Sequence, residues 1–124
     1  MTDLQQYIQT YFDVKNDALE TIASRFHYKP VSKGYYLLKQ GRQCNQLSFI
    51  QSGLIRIYTT VGDKEVTQWI STTVYFVTDL ASFVFNTPAR WNIQALTDCE
   101  LYTIEKSDYN DLGNVLPEWH QLEK

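Results

Sequence analysis

Apolar and polar positions along this chain change their period twice. Leu4, Tyr7, Ile8, Tyr11 and Phe12 recur at i, i+3, i+4, i+7 and i+8, the spacing that gathers them on one helical face. Leu19, Ile22, Ala23 and Phe26 make a second such face, opened by "NDALE", where Asp17 can cap and Glu20 can reach back. Pro30 ends the helical signal. From Val31 the pattern becomes strand-like: "KGYYLLKQG", two runs in "QLSFIQSGLIRIYTT", "GDKEVTQWIS", then "RWNIQALT" and "CELYTIEK". These runs are short, evenly spaced and punctuated by turn residues, which predicts an antiparallel sandwich, roll or barrel. The last segment turns helical again, with Ser107 as N-cap of "DYNDLGNVL" and Pro117 in the first turn of "PEWHQLEK".

Composition fits one globular domain spanning 1–124. The chain has 44% hydrophobic and 20% charged residues, enough apolar material for a core without disulfides. Fifteen per cent is aromatic, with nine Tyr, residues that suit strands with one wet face. Eleven Lys and Arg lie scattered among fourteen Asp and Glu, for a net charge of −3. That argues against nucleic-acid binding by this chain alone, which needs clustered basic residues. Cys44 and Cys99 have neither CxxC spacing nor a His cluster, so they read as two reduced thiols rather than zinc ligands. The sequence has no apolar run near the ~20 residues of a membrane span and no signal peptide, so a soluble, cytoplasmic protein is expected.

The order helix, strands, helix carries a recognisable set of residues. "KGYYLLKQGRQCNQLSFIQSGLIRIYTTVGDKE" resembles the first half of a cyclic-nucleotide-binding domain of the Crp–Fnr regulator family, with Gly34, Gly41, Gly53 and Gly62 at its turns. "IQALTDCELYTIEKSDYNDL" resembles the second half. The resemblance spans roughly 15–124. It implies a mainly β fold with flanking helices, an antiparallel β-roll of jelly-roll type. Helices would occupy 1–30, the roll 31–106, and further helices 107–124, the last being the start of a dimerisation helix. It also implies a regulatory, non-catalytic sensor that responds to a small-molecule effector. DNA would be reached only through a helix-turn-helix domain that this chain lacks. Val115, Leu116, Trp119 and Leu122 form an apolar stripe expected at a homodimer interface.

Between the two halves, the family places a phosphate-binding cassette, "FGELA…RxA". A short helix there offers backbone N–H groups to the cyclic phosphate, an Arg pairs with it, and a Glu holds the ribose. Here "FVTDLASF" occupies that place: Phe76, Leu80 and Ala81 match, Thr78 replaces the Gly, and Asp79 replaces the Glu. Counting back from Ala95, the Arg position holds Ala89, and Arg90 comes one residue later, beside Trp91. On a strand that offset would turn Arg90 to the opposite face; within the "NTPAR" turn, a local deletion would restore its aim. Thr78, Asp79, Leu80, Ala81, Arg90 and Trp91 are therefore the candidate ligand residues. The plainer expectation makes Asp79 a helix cap and Arg90 a surface residue flanking Trp91. On that expectation cyclic AMP is not the ligand, and no other cofactor is implied.

Other chemistry finds little footing. A metal-binding cupin needs several His, and only His27 and His120 exist. No GxSxG is present, and two Cys cannot hold an iron–sulfur cluster. Trp69 and Trp91 read as core or roll-lining residues, although with Trp119 they could also serve as stacking platforms. The competing functional reading is a ligand-free roll that binds a protein partner through aromatic surface. The two differ in whether the roll interior holds a polar cavity or is filled by Phe83, Phe85 and Trp91.

Overall fold

The computed structural model describes residues 2–12, 14, 16–72 and 76–115. Helices α1 (Asp3–Phe12) and α2 (Asn16–Ser24) lead into strands β1 (His27–Val31), β2 (Tyr36–Leu38), β3 (Gln46–Ser52), β4 (Ile55–Val61), β5 (Lys64–Ser71) and β6 (Phe76–Val77). Helix α3 (Leu80–Phe85), strands β7 (Asn92–Ala95) and β8 (Cys99–Glu105), and helix α4 (Lys106–Val115) complete the chain. The strands form two four-stranded antiparallel sheets, ordered β1-β8-β3-β6 and β2-β7-β4-β5. This is the mainly antiparallel β-roll with flanking helices that the strand spacing anticipates.

Strand β3 shows why the roll closes. Its residues alternate between two buried environments. Phe49 packs against Tyr7 of α1 and Phe76 of β6, with ring centroids 5.6 and 5.4 Å away. Ser48 faces the other way and shares a 2.8 Å hydrogen bond with Thr103 of β8. The helix-facing side gathers Tyr11, Phe12 and Phe26 around Phe76, all within 6.1 Å between ring centroids. Leu4, Ile8 and Phe12 of α1 are buried, as their helical spacing predicts.

All four turn glycines have positive φ. At Gly53 space matters as much as φ: a Cβ would lie 2.5 Å from Cys99 Sγ and 2.7 Å from the Asp98 carbonyl oxygen. The β3–β4 turn packs directly on the start of β8, so only glycine fits there.

Several expected boundaries move. The roll begins at His27 rather than Val31, because 27–31 pairs in register with β8. Pro30 does not interrupt this strand: β1 is an edge, where a missing N–H costs no ladder bond. Helix α2 starts at Asn16, so Asp17 sits within its first turn rather than before it. Ser107 likewise lies inside α4, since the helix begins at Lys106 directly after β8, with the Lys106 N–H held by the Asn45 carbonyl at 2.8 Å. Leu116, Trp119 and Leu122 of the expected dimer stripe fall outside the described residues, as does the side chain of Val115. Both cysteines are buried free thiols. Among the described residues no helix is long and apolar enough to cross a membrane.

Candidate functional site

Helix α3 holds the middle of the cassette-like segment, and the residues that flank it cap it at both ends. Asp79 is the N-cap, in extended conformation at φ −96° and ψ 97°. Its Oδ1 accepts from the Ser82 N–H at 3.3 Å, and its Oδ2 accepts from the Arg90 N–H at 2.7 Å. The side chain is only 1% exposed. Both carboxylate oxygens are therefore committed to backbone donors of the segment itself, one at each end of the excursion. Asn86, in left-handed conformation at φ 60°, closes the helix by donating its N–H to the Ser82 carbonyl at 3.0 Å. Its side-chain Oδ1 accepts from Gln43 at 2.6 Å and from the Lys106 ammonium.

The remaining candidates are held in the same inward-looking way. Thr78 donates its hydroxyl to the Gln46 carbonyl at 2.9 Å, and its Oγ1 lies 3.2 Å from Cys44 Sγ. The Ser82 hydroxyl accepts from the Cys44 N–H at 2.8 Å. Ala89, at the position of the family's arginine, is buried. Its backbone is clamped to the opposite loop, with its N–H on the Arg42 carbonyl at 2.7 Å and its carbonyl on the Gly41 N–H at 2.8 Å. Arg90 is exposed and lays its guanidinium 5.6 Å from the centre of the Trp91 ring. The structure thus brings Asp79 and Arg90 together through the backbone of Arg90, not through its charge. Leu80 is 45% exposed and Ala81 half-buried, so neither lines an enclosed site.

The aromatic expectations need correcting. Trp69 is not core: it is 47% exposed, meeting the half-buried Trp91 edge-on at 5.5 Å. It lies on β5, the outer strand of its sheet among the described residues. Of the two phenylalanines of α3 expected to fill the roll, only Phe83 belongs to the buried core. Phe83 packs edge-on against Tyr109 of α4 at 4.9 Å, while Phe85, two residues on, is 68% exposed.

The interior also contains a cavity of about 320 Å³ between the sheets. Its apolar lining includes Leu38, Val77 and Ile93 and its polar part Tyr35, Gln46, Thr78 and Glu105, so Thr78 borders both the cassette and the cavity. Gln46 bridges two ionic groups: its Nε2 donates to Glu105 at 2.9 Å, and its Oε1 accepts from Lys29 at 3.4 Å. The Lys29 ammonium also rests 5.3 Å from the Tyr35 ring centre. Sequence reasoning missed these residues because they come from β1, β3 and β8. One signal was present: in "QLSFIQS", the polar Gln46 and Ser48 alternate with Leu47 and Phe49, which puts polar groups on an inward face. Among the described residues no cluster of His, Cys, Asp and Glu could hold a metal ion.

Comparison with known proteins agrees with this architecture. Residues 28–114 match the family model of the cyclic nucleotide-binding domain. Among solved structures, the regulatory domain of Toxoplasma gondii PKA with cAMP is 17% identical. It aligns over 88% of this chain and 42% of its own, with a TM-score of 0.79. The N-terminal domain of a transcriptional regulator from Streptomyces coelicolor A3(2) is 16% identical over 97% of this chain and 83% of its own, with a TM-score of 0.78. The Thermus thermophilus catabolite activator protein is 21% identical over 89% of this chain and 52% of its own, with a TM-score of 0.77. At these identities the likeness is one of fold, and this chain spans about half or less of the activator and the kinase regulator. No curated protein matches the sequence. With the family model covering most of the roll and its flanking helix, this chain belongs to the cyclic nucleotide-binding domain family.

Proposed function

We propose that this domain is the regulatory sensor part of a cytoplasmic, non-catalytic Crp–Fnr-type transcription regulator, and that its cassette does not grip a cyclic phosphate. The likeness to the N-terminal domain of a transcriptional regulator and to the catabolite activator protein supports the regulator role. In that role the domain takes a small-molecule effector, pairs with a second copy, and reaches DNA through a further domain.

One observation carries the reading of the cassette: both oxygens of Asp79 cap and staple their own segment. The carboxylate stands at the start of α3, where an incoming phosphate would need the same donors and would meet like charge. The cation that would offset this is displaced, since Ala89 is buried at its position and Arg90 lies on the surface. Losing a buried charge-assisted phosphate contact costs about 2–5 kcal/mol, roughly 30-fold to several-thousand-fold in affinity. Micromolar binding thereby falls to about millimolar or weaker.

Calorimetric titration of cyclic AMP and cyclic GMP into this chain tests the reading. We expect no saturable heat at micromolar ligand. Saturable micromolar binding that Arg90→Ala abolishes would overturn it. The exposed Leu80 and Phe85, at the two ends of α3, favour a second reading, in which this helix docks a protein partner. Pull-down with wild type and with Leu80 and Phe85 changed to Ser separates the two.

A further inference from the structure

At the edge of the cavity between the sheets lies an arrangement that the cassette lacks: two opposite charges, Glu105 on the cavity wall and Lys29 just behind it, bridged by the neutral side chain of Gln46. By strand register, Lys29 lies opposite Leu101, Gln46 opposite Glu105, and Ser48 opposite Thr103. Residues 101, 103 and 105 of β8 share one face, so Lys29, Gln46 and Glu105 all belong to the side of the sheet that carries the buried Ser48–Thr103 pair. The carboxamide of Gln46 presents its oxygen to the Lys29 ammonium and its nitrogen to the Glu105 carboxylate. Among the described residues, no basic group lies within ion-pair distance of Glu105.

An α-amino acid offers the same polarity with full charges: a carboxylate at one end and an ammonium at the other. Set between Lys29 and Glu105, it would replace the amide of Gln46, exchanging that side chain's two hydrogen bonds for two charge-assisted ones. Its side chain would then enter the apolar part of the cavity, against Leu38, Val77 and Ile93. At about 320 Å³ the cavity sits at the low end of the range for small-molecule pockets, roughly 300–1,000 Å³. A ligand of amino-acid size fits within that space. A phosphate group is disfavoured by Glu105.

We propose that the roll binds a small zwitterion, an α-amino acid with an apolar side chain, in this cavity, with its ammonium on Glu105 and its carboxylate on Lys29. The site rests on the geometry of the roll and is independent of the regulator reading.

The probe is L-leucine, titrated into the full chain and followed by nitrogen-edited NMR. Two relatives serve as comparisons: isoamylamine, which lacks the carboxylate, and isocaproate, which lacks the ammonium. We expect leucine to shift the amides of Gln46, Ser48, Ile93 and Glu105 saturably, and to leave those of Asp79 to Phe85 in place. Each amputated relative should bind about ten- to a hundredfold more weakly, the loss of one charge-assisted hydrogen bond. Glu105→Gln and Lys29→Met should each weaken leucine by a similar factor, and both should melt like wild type. Gln46→Ala, which clears the gap, should tighten it. The proposal is overturned if leucine gives no saturable shift up to its solubility limit. It is equally overturned if isoamylamine or isocaproate binds as tightly as leucine, or if neither charge variant weakens binding. A failure here leaves the cassette reading intact, and tight cyclic-nucleotide binding leaves this one intact.

Discussion

The cassette segment and the interior cavity both carry polar side chains inside one roll, and they use them differently. Around α3, Thr78, Asp79, Ser82 and Asn86 direct their side-chain oxygens at other protein groups, fixing the segment to β3, to its own backbone and to α4. In the cavity, Gln46 alone spans Lys29 and Glu105, and an unfilled space lies beside them. Buried polar groups are acceptable when every one has a partner. The cassette meets that condition largely with backbone partners, whereas at the cavity one neutral carboxamide serves two opposite charges. A fold can therefore keep the outline of a binding segment after its polar groups have been taken over for structure.

The largest effect that would sharpen this contrast lies at Phe83. It is 1% exposed and packs on Tyr109, so α3 is anchored as a core helix through its inward face. Phe83→Ala should destabilise the domain by about 3–5 kcal/mol in urea unfolding. A loss below about 1 kcal/mol would mean that α3 is a loosely held lid, and the contrast would fail.

A smaller effect concerns a polar pair on the other sheet. The hydroxyls of Tyr36 and Tyr58 lie 2.7 Å apart, and Tyr58 is 3% exposed. Burial, together with the Tyr36 hydrogen bond, pushes the Tyr58 hydroxyl up from 10 to about 12. The protonated form is the one the fold favours, so this contribution is complete below pH 10 and is lost as pH rises toward 12. Stability of wild type should fall more steeply than that of Tyr58→Phe across this window, by at most about 1.4 kcal/mol per pH unit. Parallel slopes would show that Tyr58 is not held by the fold, and that committed polar pairs are not a general habit of this roll.

How far the sequence discloses all this depends on range along the chain. Helical faces such as Leu4, Ile8 and Phe12 are local patterns, and they translate directly into buried residues. The turn glycines are similar, since positive φ is a property of a single residue. Strand β1 is hidden because Pro30 looks like a terminator, and only the pairing with β8, some seventy residues later, shows it to be an edge position. Trp69 misleads for the opposite reason: its residue type says interior, but among the described residues the sheet ends at β5. Within the site, the replacement of the family's glycine by Thr78 and the shift from Ala89 to Arg90 were legible. The double use of Asp79 was legible only in half. A cap is read from Asp79 to Ser82, but the bond to the Arg90 N–H depends on where the return loop travels. Lys29, Gln46 and Glu105 share no local pattern, and only sheet register brings them to one face.

The central claim is that Asp79 serves the fold rather than a ligand, and the most direct test is equilibrium unfolding of Asp79→Ala. The change removes an N-cap, worth about 0.5–2 kcal/mol, and strips the Arg90 N–H of its partner, at a further 1–3 kcal/mol or so. We predict a loss of about 2–4 kcal/mol, with no ligand present in either sample. A change within about 0.5 kcal/mol of wild type would contradict the account, because the carboxylate would then be dispensable to the fold and available for a ligand after all.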